Sequence, residues 1–267
     1  MRICYFLEKC HFFFGPTCFL FSFPLLTDSE FKINLKGAGI GNGLTDPKAQ
    51  VNSLAEHTYN LGLVDANQAS ILAGHQQTVA AAIDQEDWLG ALAARNTIYN
   101  LITRWTGGVN FYDVTRYESD DFSGIDRFLN LPHIRQSLNV GNQTFFNDPR
   151  VYAALEEDVM KSTASVFPVL MNTYKVLIYT GQWDIRDGIP GTLAWVYKLD
   201  WPLIGDYYVA PRDVWRVNNQ VAGFAKAVGS FTEVTMVNAG HMVPKDAPAA
   251  SADMITRWIN DISFGDS

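Results

Sequence analysis

The sequence predicts an α/β fold with a mostly parallel sheet and a helical stretch inserted between two of its strands. Three observations lead there. From Val176 onward, strand-like and helix-like segments alternate. Val176-Leu177-Ile178-Tyr179 is a continuous apolar run, the pattern of a strand buried on both faces. An earlier strand-like segment, residues 33–40, is separated from that run by a long stretch that reads mainly as helix.

Each element follows from local pattern. Behind residues 33–40, Gly39, Gly41 and Gly43 let the backbone turn, and Asn42-Gly43 and Asp46-Pro47 are turn signals. The three glycines resemble a phosphate loop only superficially. No Gly-Lys-Ser/Thr follows and no helix opens directly behind them, so nucleotide binding is discounted. A short helix carries Leu54, Glu56 and Tyr59 and ends near Gly62. Asp65 can cap a second, through Leu72, Val79 and Ile83. A third runs from Asp87 to Gly107-Gly108.

Polar, irregular sequence follows through Tyr112, Tyr117 and Asp120-Asp121. Leu131-Pro132 then opens a short helix, and residues 151–162 give another. After the strand at 176–179, a loop through Asp184 leads to a helical stretch at 188–199. Residues 214–217 and 221–228 read as a hairpin around Asn218-Asn219, and 234–237 as a strand. The last helix covers 253–262, with Met254, Trp258 and Ile262 on one face.

The first thirty residues have a different texture. Seven phenylalanines between Phe6 and Phe23 crowd a stretch broken by Gly15, Pro16 and Pro24. Its apolar run, 12–26, is shorter than the ~20 residues a spanning helix needs. As a signal peptide it is poor, because Glu8 dilutes the charge of Arg2 and Lys9 and Pro16 interrupts the apolar segment. Residues 1–30 therefore read either as an irregular leader or as a crude signal.

Composition narrows the class. With 48% hydrophobic and 13% aromatic residues, the chain can build a packed core. Net charge is -8 and no Lys/Arg run occurs, which argues against a nucleic-acid partner. All three cysteines (Cys4, Cys10, Cys18) lie in the leader, so the body has neither a disulfide framework nor metal-thiolate spacing. His57, His75 and His133 fall in helical stretches without ligand spacing, and Asp120-Asp121 reads as a solvated loop. No metal or cofactor is expected.

Chemistry concentrates past the carboxyl ends of two predicted strands, where open α/β sheets carry their reactive groups. Asp184 follows the strand ending near Tyr179, and His241 follows the one ending near Val237. A neutral imidazole can take a proton from a hydroxyl nucleophile and return it to a leaving group. A carboxylate on its other nitrogen fixes the tautomer. The order Asp before His matches the α/β-hydrolase arrangement.

The loop Asp184-Ile185-Arg186-Asp187-Gly188 looks most like that of a plant serine carboxypeptidase-like subgroup, and Asn34-Leu35-Lys36-Gly37 running into Ile40-Gly41-Asn42-Gly43-Leu44-Thr45-Asp46-Pro47 is similar to one segment of the serine carboxypeptidase family. So are Phe128-Leu129-Asn130 with Pro132, Leu138-Asn139-Val140, and Asp158-Val159-Met160-Lys161-Ser162. The strand and loop at 176–184, the hairpin segment Gln220-Val221-Ala222-Gly223, and Ala239-Gly240-His241-Met242-Val243-Pro244 followed by Asp246 complete the series, in family order.

The resemblance implies a partial α/β-hydrolase fold over residues 31–267 with a helical cap at about 48–167. It implies release of a C-terminal amino acid from peptides, in a vacuole, lysosome or secreted fluid. Asp184 and His241 inherit the acid and base roles, and Met242 a place lining the leaving-residue pocket. The tripeptide Asn142-Gln143-Thr144 becomes a candidate glycosylation site in such a protein.

The family's nucleophile motif, Gly-Glu-Ser-Tyr-Ala-Gly, precedes the segment at Asn34 and has no counterpart here. Ser22 and Ser29 lack a glycine elbow, as do Ser53, Ser70, Ser119, Ser123, Ser137, Ser162 and Ser165. The chain thus resembles the C-terminal portion of the family's domain and is expected to be inactive by itself. The strand at 33–40 is expected to expose an unpaired, aggregation-prone edge. Two other readings stand beside this one: a non-catalytic binding protein that docks on a full-length relative, and a serine carboxypeptidase-like acyltransferase.

Overall fold

A computed structural model of the chain describes residues 3–8 (as backbone), 35–121, 123–146 and 148–265. Among these residues the strands are β1 (Ile3–Glu8), β2 (Leu35–Gly41), β3 (Lys175–Gly181), β4 (Asp213–Val217), β5 (Gln220–Val228) and β6 (Phe231–Met236). They form a single sheet in the order β1-β2-β3-β6-β5-β4. The first three pairings are parallel, while β5 and β4 add as an antiparallel hairpin. The tight turn between β4 and β5 needs positive φ, which Asn218 and Asn219 adopt at 51° and 64°.

One sequence expectation changes at the sheet edge. Residues 1–30 read as irregular, which would leave β2 unpaired on one side. Instead Ile3–Glu8 is a strand parallel to β2, with Tyr5 opposite Ala38 and Leu7 opposite Ile40. The run Ile-Cys-Tyr-Phe-Leu is rich in strand-forming residues, and pairing satisfies backbone groups that β2 would otherwise expose. The rest of the leader, including Ser22 and Ser29, lies outside the described residues.

Between β2 and β3 lies the helical insertion. It opens with α1 (Pro47–Asn52), α2 (Leu54–Asn60), α3 (Ala66–Asp84) and α4 (Trp88–Thr106). Asp65 caps α3 through a complete capping box with Gln68, and Gly107, at φ 73°, closes α4 in the left-handed conformation. Leu72, Val79, Ala91, Ile98 and Ile102 pack into a helical core that also takes in Ile185 from the loop after β3. The later helices α5 (Ser123–Leu129), α6 (Pro132–Ser137) and α7 (Pro149–Leu155) bury no residue. The helix read at 151–162 stops at Leu155 and tightens into a 3₁₀ turn, Glu156–Asp158.

The chain re-enters the sheet through α8 (Phe167–Thr173) and continues from β3 into α9 (Ile189–Val196) and α10 (Ile204–Val209). After β6 come α11 (Val243–Asp246) and α12 (Pro248–Asn260). Alternate residues of β3 serve opposite cores. Val176 and Ile178 join Phe167, Trp195 and Phe231 on one face; Leu177 and Tyr179 join Met254 and Trp258 on the other. The continuous apolar run is thus a strand covered on both faces, as its composition implies.

Candidate active site

β3 and β6 are parallel neighbours, so their carboxyl ends deliver two loops side by side. The loop after β3 brings Asp184, fully buried at 0% exposure, and the loop after β6 brings His241. The imidazole Nδ1 lies 2.8 Å from the carboxylate Oδ2 of Asp184. A carboxylate can only accept, so Nδ1 carries the hydrogen and Nε2 is the basic nitrogen. The two residues expected from the sequence are therefore brought into contact.

Glycines make the approach possible. Any side chain on Gly181 would overlap the Gly240 carbonyl, and one on Gly240 would overlap the carbonyl of Tyr112. Backbone bonds then lock the loops: Trp183 N–H donates to Ala239 O at 2.9 Å and Gln182 N–H to Met236 O at 2.9 Å. His241 N–H donates to Tyr112 O at 2.6 Å, and Gly240 N–H to the Asp246 carboxylate at 2.9 Å.

Among the described residues, four N–H donors hold Asp184. Oδ2 accepts from His241 and from the side-chain amide of Asn42 at 2.7 Å. Oδ1 accepts from the backbone N–H groups of Arg186 at 2.8 Å and Asp187 at 3.2 Å. Such a set fixes the rotamer and satisfies a carboxylate that is out of reach of water.

Around the pair sits a shell of charge and aromatic rings. Tyr112 meets His241 edge-on at 5.2 Å, and the Arg186 guanidinium lies over the Tyr112 and Tyr99 rings at 5.0 and 5.5 Å. Buried Arg95 reaches the Tyr99 hydroxyl at 3.2 Å and stands 3.9 Å from Asp187. Asp187 in turn has a carboxylate oxygen 3.9 Å from His241 Nδ1. Burial alone would lower the pKa of His241, but the Asp184 carboxylate, its hydrogen bond and the Asp187 charge outweigh it and raise the value above the ordinary one; Arg186 opposes. Burial pushes the Tyr112 phenol up to about 12, so it remains a neutral ring.

Other residues singled out from sequence fall as follows. Met242 is half-buried and directly precedes α11, and Asn142 is exposed. Ser53, Ser137 and Ser162 direct their hydroxyls to Gln50 O, His133 O and Asp46. One reading changes. Asp120 is not a solvated loop residue: Arg116 binds it at 3.0 Å and Lys245 pairs with it, tying the loop at 110–120 to the histidine loop. His57 lies in a helix, α2, as read, with its ring against Gly188. Burial lowers its pKa, against the pull of the Asp184 charge. No group of His, Cys, Asp and Glu among the described residues is arranged to hold a metal.

Sequence reasoning missed Asn42, Tyr112, Arg186 and Asp187. For Asn42 the signal was visible but read only as a turn. Tyr112 and Arg186 depend on how the helical insertion returns to the sheet, and Asp187 on how close the loop after β6 comes to it.

The family pattern described as serine carboxypeptidase matches residues 26–261. Curated relatives include a venom serine carboxypeptidase of Apis mellifera, 37% identical over 251 residues, covering 88% of this chain and 53% of the relative. A probable serine carboxypeptidase CPVL of Dictyostelium discoideum is 36% identical, covering 87% and 48%; serine carboxypeptidase-like 50 of Arabidopsis thaliana is 34% identical, covering 85% and 52%. Among solved structures, the prohormone-processing carboxypeptidase Kex1Δp of Saccharomyces cerevisiae superposes with a TM-score of 0.71 at 21% identity, covering 92% of this chain and 58% of that one. That likeness gives the fold, an α/β-hydrolase sheet. The chain spans about half the length of the curated relatives it matches. With the fold and the family match in agreement, the chain belongs to the serine carboxypeptidase family.

Proposed function

We propose that this chain carries the acid and base of a serine-type carboxypeptidase, the machinery for releasing a C-terminal amino acid from a peptide. The contact of His241 Nδ1 with Asp184 Oδ2 at 2.8 Å, on loops from adjacent parallel strands, carries this reading. His241 takes the hydroxyl proton of a serine nucleophile at Nε2 and returns it to the leaving amine. Asp184 holds the tautomer and stabilises the imidazolium, and Asp187 adds negative charge at 3.9 Å. Met242 lines the pocket for the departing residue.

No Gly-x-Ser-x-Gly occurs in the 267 residues, and on this reading the chain by itself does not hydrolyse peptides. Association with a full-length relative fits the same reading, as does a vacuolar, lysosomal or secreted location with a glycan on Asn142. Among the described residues no helix is long and apolar enough to cross a membrane. The test is to treat the purified 267-residue chain with a fluorophosphonate probe and with blocked dipeptides. No labelled serine and no released amino acid are expected. Labelling at any serine, with turnover, would show that a nucleophile has been overlooked.

A further inference from the structure

The Asp184 carboxylate has one side-chain partner that the proton-transfer scheme does not use. Asn42 stands just past the carboxyl end of β2, and its backbone N–H donates to Tyr179 O at 2.9 Å. The register that sets Gly41 opposite Tyr179 therefore brings Asn42 to the start of the acid loop. Its φ is 44°, a left-handed conformation that asparagine tolerates better than most residues. A turn asparagine normally bonds its side chain to its own backbone two residues on. Here the residue is 1% exposed and its amide is aimed inward.

The orientation of that amide is decided by its surroundings. Nδ2 is 2.7 Å from Asp184 Oδ2, while Oδ1 has no hydrogen-bond partner among the described residues. A flipped amide would set oxygen against oxygen, so the donor must face the carboxylate. Oδ2 thus receives Asn42 and His241 together, whereas Oδ1 is held by backbone alone. Among the described residues Asn42 is the one neutral side chain bonded to the oxygen used by the histidine. A cation at that place would compete with the imidazolium for the carboxylate charge; an amide holds the oxygen and leaves the charge available.

We propose that Asn42 is a positioning residue of the site: its amide sets Asp184 Oδ2 in line with His241 Nδ1. The inference rests on Asp184 and His241 being the acid and base. Two variants separate a positioning role from a structural one. Asn42→Gly removes the amide without strain at positive φ, and Asn42→Asp keeps the shape while placing a second carboxylate beside Oδ2.

The readout is NMR of the full chain, following the His241 Cε1–H resonance against pH and the low-field Nδ1 proton. In the parent, a low-field proton and a titration midpoint above that of an ordinary histidine are expected. Asn42→Gly is expected to lose the low-field proton and shift the midpoint downward, as burial regains the upper hand over a carboxylate no longer aligned. Asn42→Asp is expected to shift the midpoint upward. Variants that both keep the parent's proton and midpoint overturn the proposal, whatever their melting temperatures. Should the Asn42→Gly chain not fold, an unshifted midpoint in Asn42→Asp overturns it alone. A parent with no low-field proton and a depressed midpoint sinks the acid–base reading itself, a result distinct from failure of Asn42.

Discussion

Gly181 and Gly240 lie backbone to backbone, with the carbonyl of Gly240 occupying the space a side chain on Gly181 would need. One glycine ends β3 and the other immediately precedes His241, so their contact sets how far the acid loop stands from the histidine. Gly181→Ala is expected to push the loops apart and destabilise the chain by at least ~2 kcal/mol, the scale of a substitution that overpacks a closed interior. Chemical denaturation checks this. The alanine variant should also lose the low-field His241 proton if the loops separate.

Replacement of Asp184 by Asn keeps the volume and removes the charge. Burial then dominates at His241, and its titration midpoint is expected to fall from above to below the ordinary histidine value. A histidine NMR titration of the Asp184→Asn chain checks it, and an unchanged midpoint would show that the carboxylate is not what raises it.

His241 also makes stability depend on pH. Its pKa is raised in the folded chain, so folding favours the protonated ring. That stabilisation is fully present below the unfolded value of 6.5 and is lost as pH rises through the higher folded value. The melting-temperature gap between the parent and His241→Gln should therefore be widest on the acidic side of neutral and shrink toward alkaline pH.

Arg116 joins Asp113 at 2.8 Å and Asp120 at 3.0 Å. Burial works to raise the Asp120 pKa, but Lys245 and Arg116 hold it below the ordinary carboxylate value. A depressed carboxylate contributes stability above its unfolded value of 3.8, and the contribution is lost as pH falls through the folded value. Arg116→Gln should melt earlier than the parent at neutral pH, with the gap closing in acid.

On the opposite face of the sheet from α8 and α9, Trp258 of α12 is 4% exposed and packs with Met254 and Leu177. Trp258→Ala is expected to cost roughly 3–5 kcal/mol, the usual range for deleting a large buried ring. Urea unfolding of the variant measures it, and a loss below about 1 kcal/mol would mean that the layer collapses around the gap.

Much of this architecture was legible because local pattern and tertiary demand agree. The apolar run at Val176 is a strand buried on both faces, Asp65 builds its capping box, and Asn218-Asn219 makes its turn. Asp184 and His241 were legible by their placement behind strands and by the family resemblance of their flanks. Asn42 was not, because a polar residue between glycines looks the same whether it faces water or a carboxylate. Tyr112 and Arg186 were hidden for another reason. Their roles depend on the loop at 110–114 folding back onto the acid loop, a long-range contact that leaves no periodic trace. The shallow helices α5 and α7 bury nothing, so their apolar spacing carries little signal.

That returning loop has a mechanical consequence. Val114 N–H donates to Trp183 O at 3.0 Å, Ile185 N–H to Phe111 O at 3.1 Å, and His241 N–H to Tyr112 O at 2.6 Å. A few consecutive residues at the foot of the insertion are thus riveted to both halves of the acid–base pair. The helical insertion is thereby anchored at the sheet in the very place where the acid and base stand, so a change that loosens residues 111–114 reaches Asp184 and His241 together.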